Sequence, residues 1–542
     1  MTRPPLRARW LGRVEYDEAD SLQRALHTRT ADDYLLLLEH PHIYTLGSRA
    51  TLDHVLVPPE SVGARLVHAD RGGDVTYHGP GQLVGYPIVT LPGSGQGLRD
   101  VVGYVRRLEL VIIDTLADLG VTAERQERLT GVWVGDEKVA AIGVRVARGR
   151  TRHGFALNVD PDLSMFDHIV PCGIVDKGVT SLARLLGAAP DPRAVVDLVV
   201  EHFASEFGYP DVERQDVAWP ARGPQPERGS GADPGSASAV RLAQAGVTAP
   251  PDTDRPARPE WMRVHADLGP GYRSTKRLMR SLDLHTVCEE AGCPNIYECW
   301  RDRTATFMIL GDRCTRACGF CLVDTRRPGP PDPDEPARVA DAVAALDLEH
   351  AVITSVARDD LPDGGASGFA ATIRAVRART PDAKIEVLIP DCKGSAEALD
   401  LIVEAHPDVL NHNLETVALL QRAARPNAGY ARSLALLARG KSAGLVTKSG
   451  LIVGLGESET QLRGAIADLA AVGVDILTVG QYLRPSKQHL PVVRWWRPEE
   501  LDEVGAYARG LGFAHVESGP LVRSSYHAKR AVGAALEHAS DR

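Results

Sequence analysis

Six of the chain's eight cysteines stand between Cys288 and Cys321, inside 34 of its 542 residues. An even spread would put roughly 0.5 of a cysteine in such a window, so the clustering requires a chemical cause. A disulfide framework is one possibility, but such frameworks belong to small secreted domains. This chain is long and begins MTRPPLRARWLGRV, without the apolar core of a secretory signal. Zinc is another, yet its closed structural sites use four ligands, usually as two separated pairs. Cys314-x3-Cys318-x2-Cys321, which follows the strand-like run ATFMILGD, fits that poorly. Three thiolates at this spacing can instead wrap a short loop around one 4Fe-4S cluster and leave its fourth iron open to a substrate or cofactor.

The length admits two or three units, each with its own core. Between 218 and 259 the composition shifts to Pro, Gly, Ala and Ser, which predicts a flexible linker. As a coil it would span about 35 Å. Residues 1–217 mix strand-like runs (LLLLE, LVGYPIVTL, GVWVGDEKVAAIGVRV, HGFALNV) with helical patterns at SLQRALHTR and VGYVRRLELVIIDTLADLG. Lacking regular βα alternation, they predict an α+β domain. Residues 260–542 repeat short apolar runs such as AVITSV, KIEVLIP and ILTVGQY between helical stretches. That alternation predicts an α/β parallel sheet or barrel, with chemistry at the C-terminal ends of its strands. A net charge of -9 argues against nucleic-acid binding by bulk electrostatics. No run approaches about 18 uninterrupted apolar residues; a soluble, cytoplasmic protein that does not enter membranes is expected.

The Cys314 triplet, with Phe320 just before its last cysteine, resembles the radical S-adenosylmethionine superfamily. Gly450-LIV-Gly454-LG-Glu457 resembles that family's glycine-rich cofactor-contacting strand. The first triplet, Cys288-x4-Cys293-x5-Cys299 in LHTVCEEAGCPNIYECW, resembles lipoyl synthase. So do, in order, ATFMILGDRCTRACGFC, TSVARDDLPDGGA, LNHNLETV, KSGLIVGLGE, YLRPSKQHLPV and the C-terminal Arg523-Ser524-Ser525-Tyr526, over about 259 to 530. The resemblance implies a partial TIM barrel with two 4Fe-4S clusters. One, on Cys314, Cys318 and Cys321, would bind S-adenosylmethionine. The auxiliary one, on Cys288, Cys293, Cys299 and a serine, Ser524 in preference to Ser525, would give up two sulfurs to C6 and C8 of a protein-bound octanoyl chain. An oxygen ligand is harder than thiolate, which suits a site that must open. Cofactor contacts are implied at Thr354, Ser355, Asn411, Asn413, Lys448, Gly454 and Glu457. Arg358, Asp359 and Asp360 also read as a charged turn, His489 equally as a satisfied surface histidine or a functional one, and Cys392 as a buried thiol rather than a ligand.

In the N-terminal half, RGGDVTYHGPGQLVGYPI places five glycines, a histidine and an arginine around a strand. With Glu137-Lys138-VAAIGVRV and MFDHIVPCGI, it resembles the octanoyltransferase of lipoate biosynthesis, a relative of lipoate and biotin ligases, over about 8 to 210. The resemblance implies Cys172 as nucleophile and Lys138 as base. Substrate contacts are implied at Arg71, Gly72, Gly73, Tyr77, His78 and Gly79, and at Ala140, Ile142, Gly143, His153 and Gly154, with Asn158 supporting the sheet. A free thiol is only a few per cent ionised at neutral pH, so Cys172 needs a cation or base beside it, and Lys138 must be partly desolvated to serve as one.

Together the resemblances imply a bifunctional enzyme of protein lipoylation, an acyltransferase joined to a sulfurtransferase. Its implied partners are octanoyl-acyl carrier protein, the lipoyl domains of 2-oxoacid dehydrogenase complexes, the glycine cleavage H protein, an electron donor and an iron-sulfur carrier. The alternatives are a cofactor-protein ligase fused to another radical sulfur-inserting enzyme, and a non-catalytic iron-sulfur scaffold.

Overall fold

The computed structural model describes residues 3–92, 100–174, 176–219, 240–248, 257–263, 269–290, 293–301, 306–526 and 528–540. The chain divides into two compact units, Met1–Trp219 and Pro220–Arg542.

The first unit holds β1 (Leu6–Arg13), β2 (Tyr34–Glu39), β3 (Ile43–Leu46), β4 (Arg65–His68), β5 (Val75–His78), β6 (Gln82–Ile88), β7 (Glu124–Gln126), β8 (Leu129–Val134), β9 (Glu137–Ala147), β10 (Arg150–Asn158), β11 (Gly178–Val179) and β12 (Val212–Asp216). The main sheet runs β12-β1-β2-β6-β10-β9-β8-β7, with β11 beside β9, and a smaller sheet runs β4-β3-β5. β1 pairs in parallel with β2 and β12, whereas β2–β6, β6–β10 and β10–β9 are antiparallel. This mixed pairing is the α+β architecture the sequence predicts.

β2 is the run YLLLLE, and its first five residues are buried. Such a continuous apolar strand needs cover on both faces. Leu35 and Leu37 share a core with Leu108 and Ile112 of helix Val101–Asp118 and with Val196 and Phe203 of helix Pro192–Phe207, while helix Tyr16–Arg29 packs on β6 and β10. Trp219 stacks on Trp10, with ring centroids 4.3 Å apart, and ties the end of the unit to its first strand.

The second unit holds β13 (His285–Thr286), β14 (Thr306–Ile309), β15 (His350–Ser355), β16 (Lys384–Leu388), β17 (Val409–Asn411), β18 (Val446–Val453), β19 (Ile476–Gln481) and β20 (His515–Gly519), paired in sequence order. All neighbours from β14 to β20 are parallel, and β13 is antiparallel to β14. Among the described residues β20 does not rejoin the first strands, so the sheet is a partial barrel. A helix crosses back after most strands. The one after β18 (Glu459–Ala471) starts at a capping box in which Ser458 and Gln461 satisfy each other's backbone N–H groups. The final helix, Ala528–Ser540, packs Ala531, Val532 and Ala535 on Val409, Val446 and Ile476, the first residues of β17, β18 and β19. It covers the N-terminal ends of these strands and leaves the C-terminal ends for the site.

Within the stretch expected as a linker, residues 240–248 belong to the second unit. Leu242 is fully buried there, and Val247 sits against Gly456. Residues 220–239 and 249–256, the rest of that stretch up to the start of the described run at 257, lie outside the described residues. No helix among the described residues is long and apolar enough to cross a membrane.

Candidate active sites

The second unit's site lies in the loop after β14. Cys314, Cys318 and Cys321 all line one cavity of about 630 Å³. Their loop is held at every turn. Thr315 donates both its N–H and its hydroxyl to the Ala357 carbonyl, at 3.0 and 2.9 Å. Arg316 grips Asp359 with two bonds of 2.7 and 2.8 Å and reaches buried Asp391 at 2.5 Å. Gly319 donates to Ala424 and accepts from Leu490 N, both at 2.8 Å. The Cys314 sulfur accepts from Ala357 N and Arg316 N at 3.3 and 3.4 Å.

Burial pushes the Cys318 thiol up to about 12 and the Cys321 thiol up to about 11. Such thiols stay protonated at neutral pH unless a metal replaces the proton. In the same cavity the Ser355 hydroxyl and the Asn413 amide oxygen are buried without a hydrogen-bond partner. Buried polar atoms of this kind call for a ligand. The donor set and the orphaned atoms therefore fit an iron-sulfur cluster with a polar cofactor beside it.

Cys293, Ser524 and Ser525 line the same cavity. Asn295 Nδ2 donates to the Leu521 carbonyl at 2.8 Å and ties the first cysteine triplet to the C-terminal segment. Burial raises the Cys293 thiol, and the Arg523 charge opposes that. Cys288 falls in the short helix Val287–Glu290 and Cys299 in Ile296–Arg301, and their side chains lie outside the described residues.

Of the expected cofactor contacts, Thr354, Ser355 and Asn413 line the cavity and Asn411, Lys448, Gly454 and Glu457 do not. The correction follows from strand alternation, since residues two apart share a face. Gly450 and Leu388 line the cavity, so Lys448 and Glu386 face inward one layer deeper. There Lys448 donates to Glu386 at 2.9 Å, and Asn411 donates to it at 2.8 Å. Burial opposes ionisation of Glu386, but Lys448 and His350 more than offset it and hold the carboxyl well below its usual value. Gly454 and Glu457 form a loop lock instead: Glu457 accepts from Gly454 N, Leu455 N and Trp496 Nε1. Two glycines of the lining are closely approached: a Cβ on Gly450 would lie 2.8 Å from both Asn413 Oδ1 and Thr478 Oγ1, and one on Gly480 2.0 Å from the Val522 carbonyl.

The sequence reading also passed over Glu415 and Arg425. Both line the cavity, and Arg425 binds the carbonyls of Asn413 and Leu414 at 3.1 Å. The segment LNHNLETV carried the signal for Glu415, which stands in the turn just after β17 with φ 66°. His489 is satisfied at both ring nitrogens and braces the cysteine loop. Its Nε2 must donate to the Cys321 carbonyl at 2.8 Å, which leaves Nδ1 to accept from the Ser486 hydroxyl at 2.8 Å. Arg358, Asp359 and Asp360 are likewise engaged, with Arg358 buried and bound to Asp360 and to the Leu310 carbonyl. Cys392 is buried, as expected, and burial pushes its thiol up to about 12.

The first unit's site is smaller, a cavity of about 50 Å³. Cys172 stands in the tight turn Pro171–Gly173 with φ 57°, a left-handed conformation that costs a non-glycine residue about 1–2 kcal/mol. Arg71, Gly72, Gly73 and His78 line the cavity with it, as do Ile142, Gly143, His153 and Gly154. The buried Arg71 guanidinium is fixed by Thr45, whose carbonyl and hydroxyl accept at 2.6 and 2.7 Å. Burial lowers Arg71, and the charge of Cys172 counters that shift, which couples the two groups electrostatically.

His78 is a neutral imidazole. Burial, with His40 and Arg71 nearby, pushes it down to about 3, and its Nδ1 donates to Gln82 Oε1 at 2.7 Å. Gln82 in turn donates to Asn158, which donates to the Thr180 carbonyl, so Asn158 supports the sheet as expected. Tyr16, Asp74 and Tyr86 also line the cavity and were not expected.

Tyr77, Gly79, Ala140 and Lys138 lie outside the lining. Tyr77 hydrogen-bonds His42 and packs on Phe166. Gly79 is required by sterics, because a Cβ there would collide with the Tyr77 ring. Ala140 pairs within the sheet opposite Leu157. Lys138 is buried with its ammonium 4.8 Å from the Trp133 ring centroid. The chain returning from Cys172 nevertheless pairs with β9 at this residue: Val179 is opposite Lys138, and Thr180 N donates to its carbonyl at 3.0 Å.

Comparison with known proteins matches residues 15–204 to the lipoyl protein ligase A/B catalytic domain, 235–293 to the N-terminal domain of lipoyl synthase, and 308–469 to the radical SAM superfamily. Lipoyl synthase of Rubrobacter xylanophilus is 57% identical over 276 residues, which span 51% of this chain and 86% of that protein. Lipoyl synthase of Mycobacterium ulcerans is 51% identical over 307 residues, spanning 57% of this chain and 94% of that one. A crystal structure of lipoate-protein ligase A bound with ATP is 14% identical, with a TM-score of 0.34, over 40% of this chain and 90% of that one.

Proposed function

Because the chain belongs to the lipoyl synthase family through its C-terminal unit and carries a lipoyl ligase A/B-type catalytic domain before it, we propose that it builds the protein-bound lipoyl group in two consecutive steps. In the first, the Cys172 thiolate attacks the thioester carbonyl of octanoyl-acyl carrier protein. The carbon–sulfur bond of the donor breaks, and the carrier leaves as a free thiol. A lysine amine of a lipoyl domain or of the glycine cleavage H protein then displaces Cys172. Arg71 supplies the positive charge that favours the thiolate, and neutral His78 lines the cavity without competing for that role. The resemblance implies Lys138 as the base, a role that requires its amine, which rests on Trp133 in this structure, to turn toward Cys172.

In the second step, the octanoyl chain enters the larger cavity, and C6 and C8 each lose one hydrogen and gain one sulfur. Cys314, Cys318 and Cys321 would hold a 4Fe-4S cluster which, with S-adenosylmethionine and an external electron donor, supplies hydrogen-atom abstraction. Ser355, Asn413 and Thr354 would orient that cofactor. Cys288, Cys293, Cys299 and Ser524 would hold an auxiliary cluster as sulfur source, replenished by an iron-sulfur carrier. The observation that carries this reading is the shared cavity, in which Cys293 and the Arg523–Ser525 segment face the Cys314 triplet with Asn295 bridging to Leu521.

The test measures both half-reactions on the whole protein. Incubation with octanoyl-acyl carrier protein should leave one octanoyl group on the peptide containing Cys172, and reconstituted, reduced protein should form 5'-deoxyadenosine from S-adenosylmethionine. Absence of the acyl adduct refutes the first step, and absence of cleavage refutes the second.

A further inference from the structure

The turn that carries Cys172 is buttressed by two side chains to which the acyl-transfer chemistry assigns no role. His54 and Asp74 form a pair, Nδ1 to Oδ2 at 2.7 Å. His54 ends the short turn Leu52–His54, and Asp74 immediately precedes β5. Both press on Gly173: a Cβ there would lie 2.8 Å from Asp74 Oδ2 and 3.4 Å from His54 Cε1. The backbone completes the clamp. Val170 N donates to the His54 carbonyl at 2.8 Å and Leu56 N to the His168 carbonyl at 2.9 Å, with Val55 bridging to Ile169. The other Asp74 oxygen accepts from Val75 N at 2.6 Å, so its carboxylate is fixed at both ends. Asp74 also lines the Cys172 cavity.

We propose that His54 and Asp74 are a positioning pair for Cys172, holding Pro171–Gly173 in the left-handed turn that presents the sulfur to the incoming thioester. The chemistry fits the task. A residue held in a sparsely populated backbone region persists only where its surroundings over-determine it. A bond from an imidazole N–H to a carboxylate is strong and directional enough to do so from the side. Gly173 has φ 70°, which itself favours glycine, and the pair lies on the side where a Cβ would project. The inference rests on reading Cys172 as the acyl carrier, and its test is chosen to be separable from that reading.

The full chain is reconstituted with its clusters, so that the cluster cysteines are engaged, and the rate of iodoacetamide labelling at Cys172 is followed by peptide mass spectrometry. His54→Ala and Asp74→Asn should each slow labelling by about tenfold, the scale on which small misplacement of a reacting group acts. Octanoyl transfer should fall in kcat with KM for the donor unchanged. His54→Asn, whose amide can donate from the Nδ1 position, should restore labelling to within about threefold of the parent chain. Asp74→Asn, which keeps the size of the side chain while weakening its bond to His54, provides a second route should the alanine variant fold poorly. Parental labelling in His54→Ala, or no rescue by His54→Asn, overturns the proposal. Labelling that responds as expected in a chain that transfers no octanoyl group would refute the acyl-carrier reading and leave the positioning pair standing.

Discussion

The two cavities solve the problem of a reactive sulfur in opposite ways. In the first unit one thiol is held in a strained turn beside a buried guanidinium, in a cavity of about 50 Å³ whose wall comes largely from short stretches around 71–78, 141–156 and 172. In the second, thiols sit in a cavity of about 630 Å³ assembled from residues as far apart as Arg258 and Ser525, and burial pushes two of them up to about 11 and 12. The first places a buried guanidinium in the same cavity as its sulfur. The second disfavours the thiolate until a metal arrives. Protein charge thus suits a nucleophile that turns over, and desolvation suits a ligand that must stay bound.

If that contrast is right, single substitutions should disable one unit and spare the other. The largest effect is expected for Cys318→Ala, which should reduce formation of 5'-deoxyadenosine to background while octanoyl transfer continues at the parental rate. Cys172→Ser should be nearly as severe in the other direction, abolishing the acyl adduct and lowering transfer by about 10³-fold or more, since an alkoxide is far harder to form than a thiolate. S-adenosylmethionine cleavage should be unaffected.

A stability experiment sharpens the comparison. Lys448→Met leaves Glu386 buried without its cation, which should cost the second unit about 3–5 kcal/mol. Thermal unfolding should show the transition of that unit shifted and the other unchanged, with Lys448→Met combined with Glu386→Leu recovering much of the loss. The smallest effect is expected for His489→Leu. It removes the brace on the Cys321 carbonyl, worth about 1–3 kcal/mol when a buried acceptor is left unmet. Iron retained after reconstitution should fall and the electron paramagnetic resonance spectrum should broaden, with secondary structure unchanged by circular dichroism.

The raised thiols add a pH dependence with a definite sign. In the folded, metal-free protein Cys318 and Cys321 keep their protons to about 12 and 11, whereas an unfolded chain loses them near 9. Folding stability from these groups is therefore intact below about pH 9 and lost as pH rises toward 11–12. Metal uptake must expel the same protons, so cluster assembly should release protons and quicken between pH 7 and 9. A stopped-flow record with a pH indicator would detect that release, and none is expected for acylation of Cys172 by comparison at matched concentration.

Much of this was legible in the sequence because the chemistry is local there. Cys314, Cys318 and Cys321 span a single loop, and Arg71 to His78 a single turn and strand, so spacing alone brings them together. Depth within the barrel was not legible. Asn411 and Lys448 stand on the correct strands and the correct face, but one layer below the cavity, where the barrel interior is filled by an ion pair instead of apolar side chains. The side on which Lys138 stores its ammonium was hidden for a similar reason, since it depends on Trp133 across the sheet. Composition also misled at 240–248, where the Pro-, Gly-, Ala- and Ser-rich average of 218–259 hides the segment VRLAQAGVT, whose Leu242 the second unit fully buries.

The most direct test of the whole account is the intact mass of an unmodified lipoyl domain incubated anaerobically with reconstituted protein, octanoyl-acyl carrier protein, S-adenosylmethionine and a reductant. The account requires an octanoyl increment followed by the increment of two sulfurs, the first lost in Cys172→Ser and only the second lost in Cys318→Ala. A two-sulfur product that survives Cys318→Ala, or an octanoyl increment that survives Cys172→Ser, would contradict it.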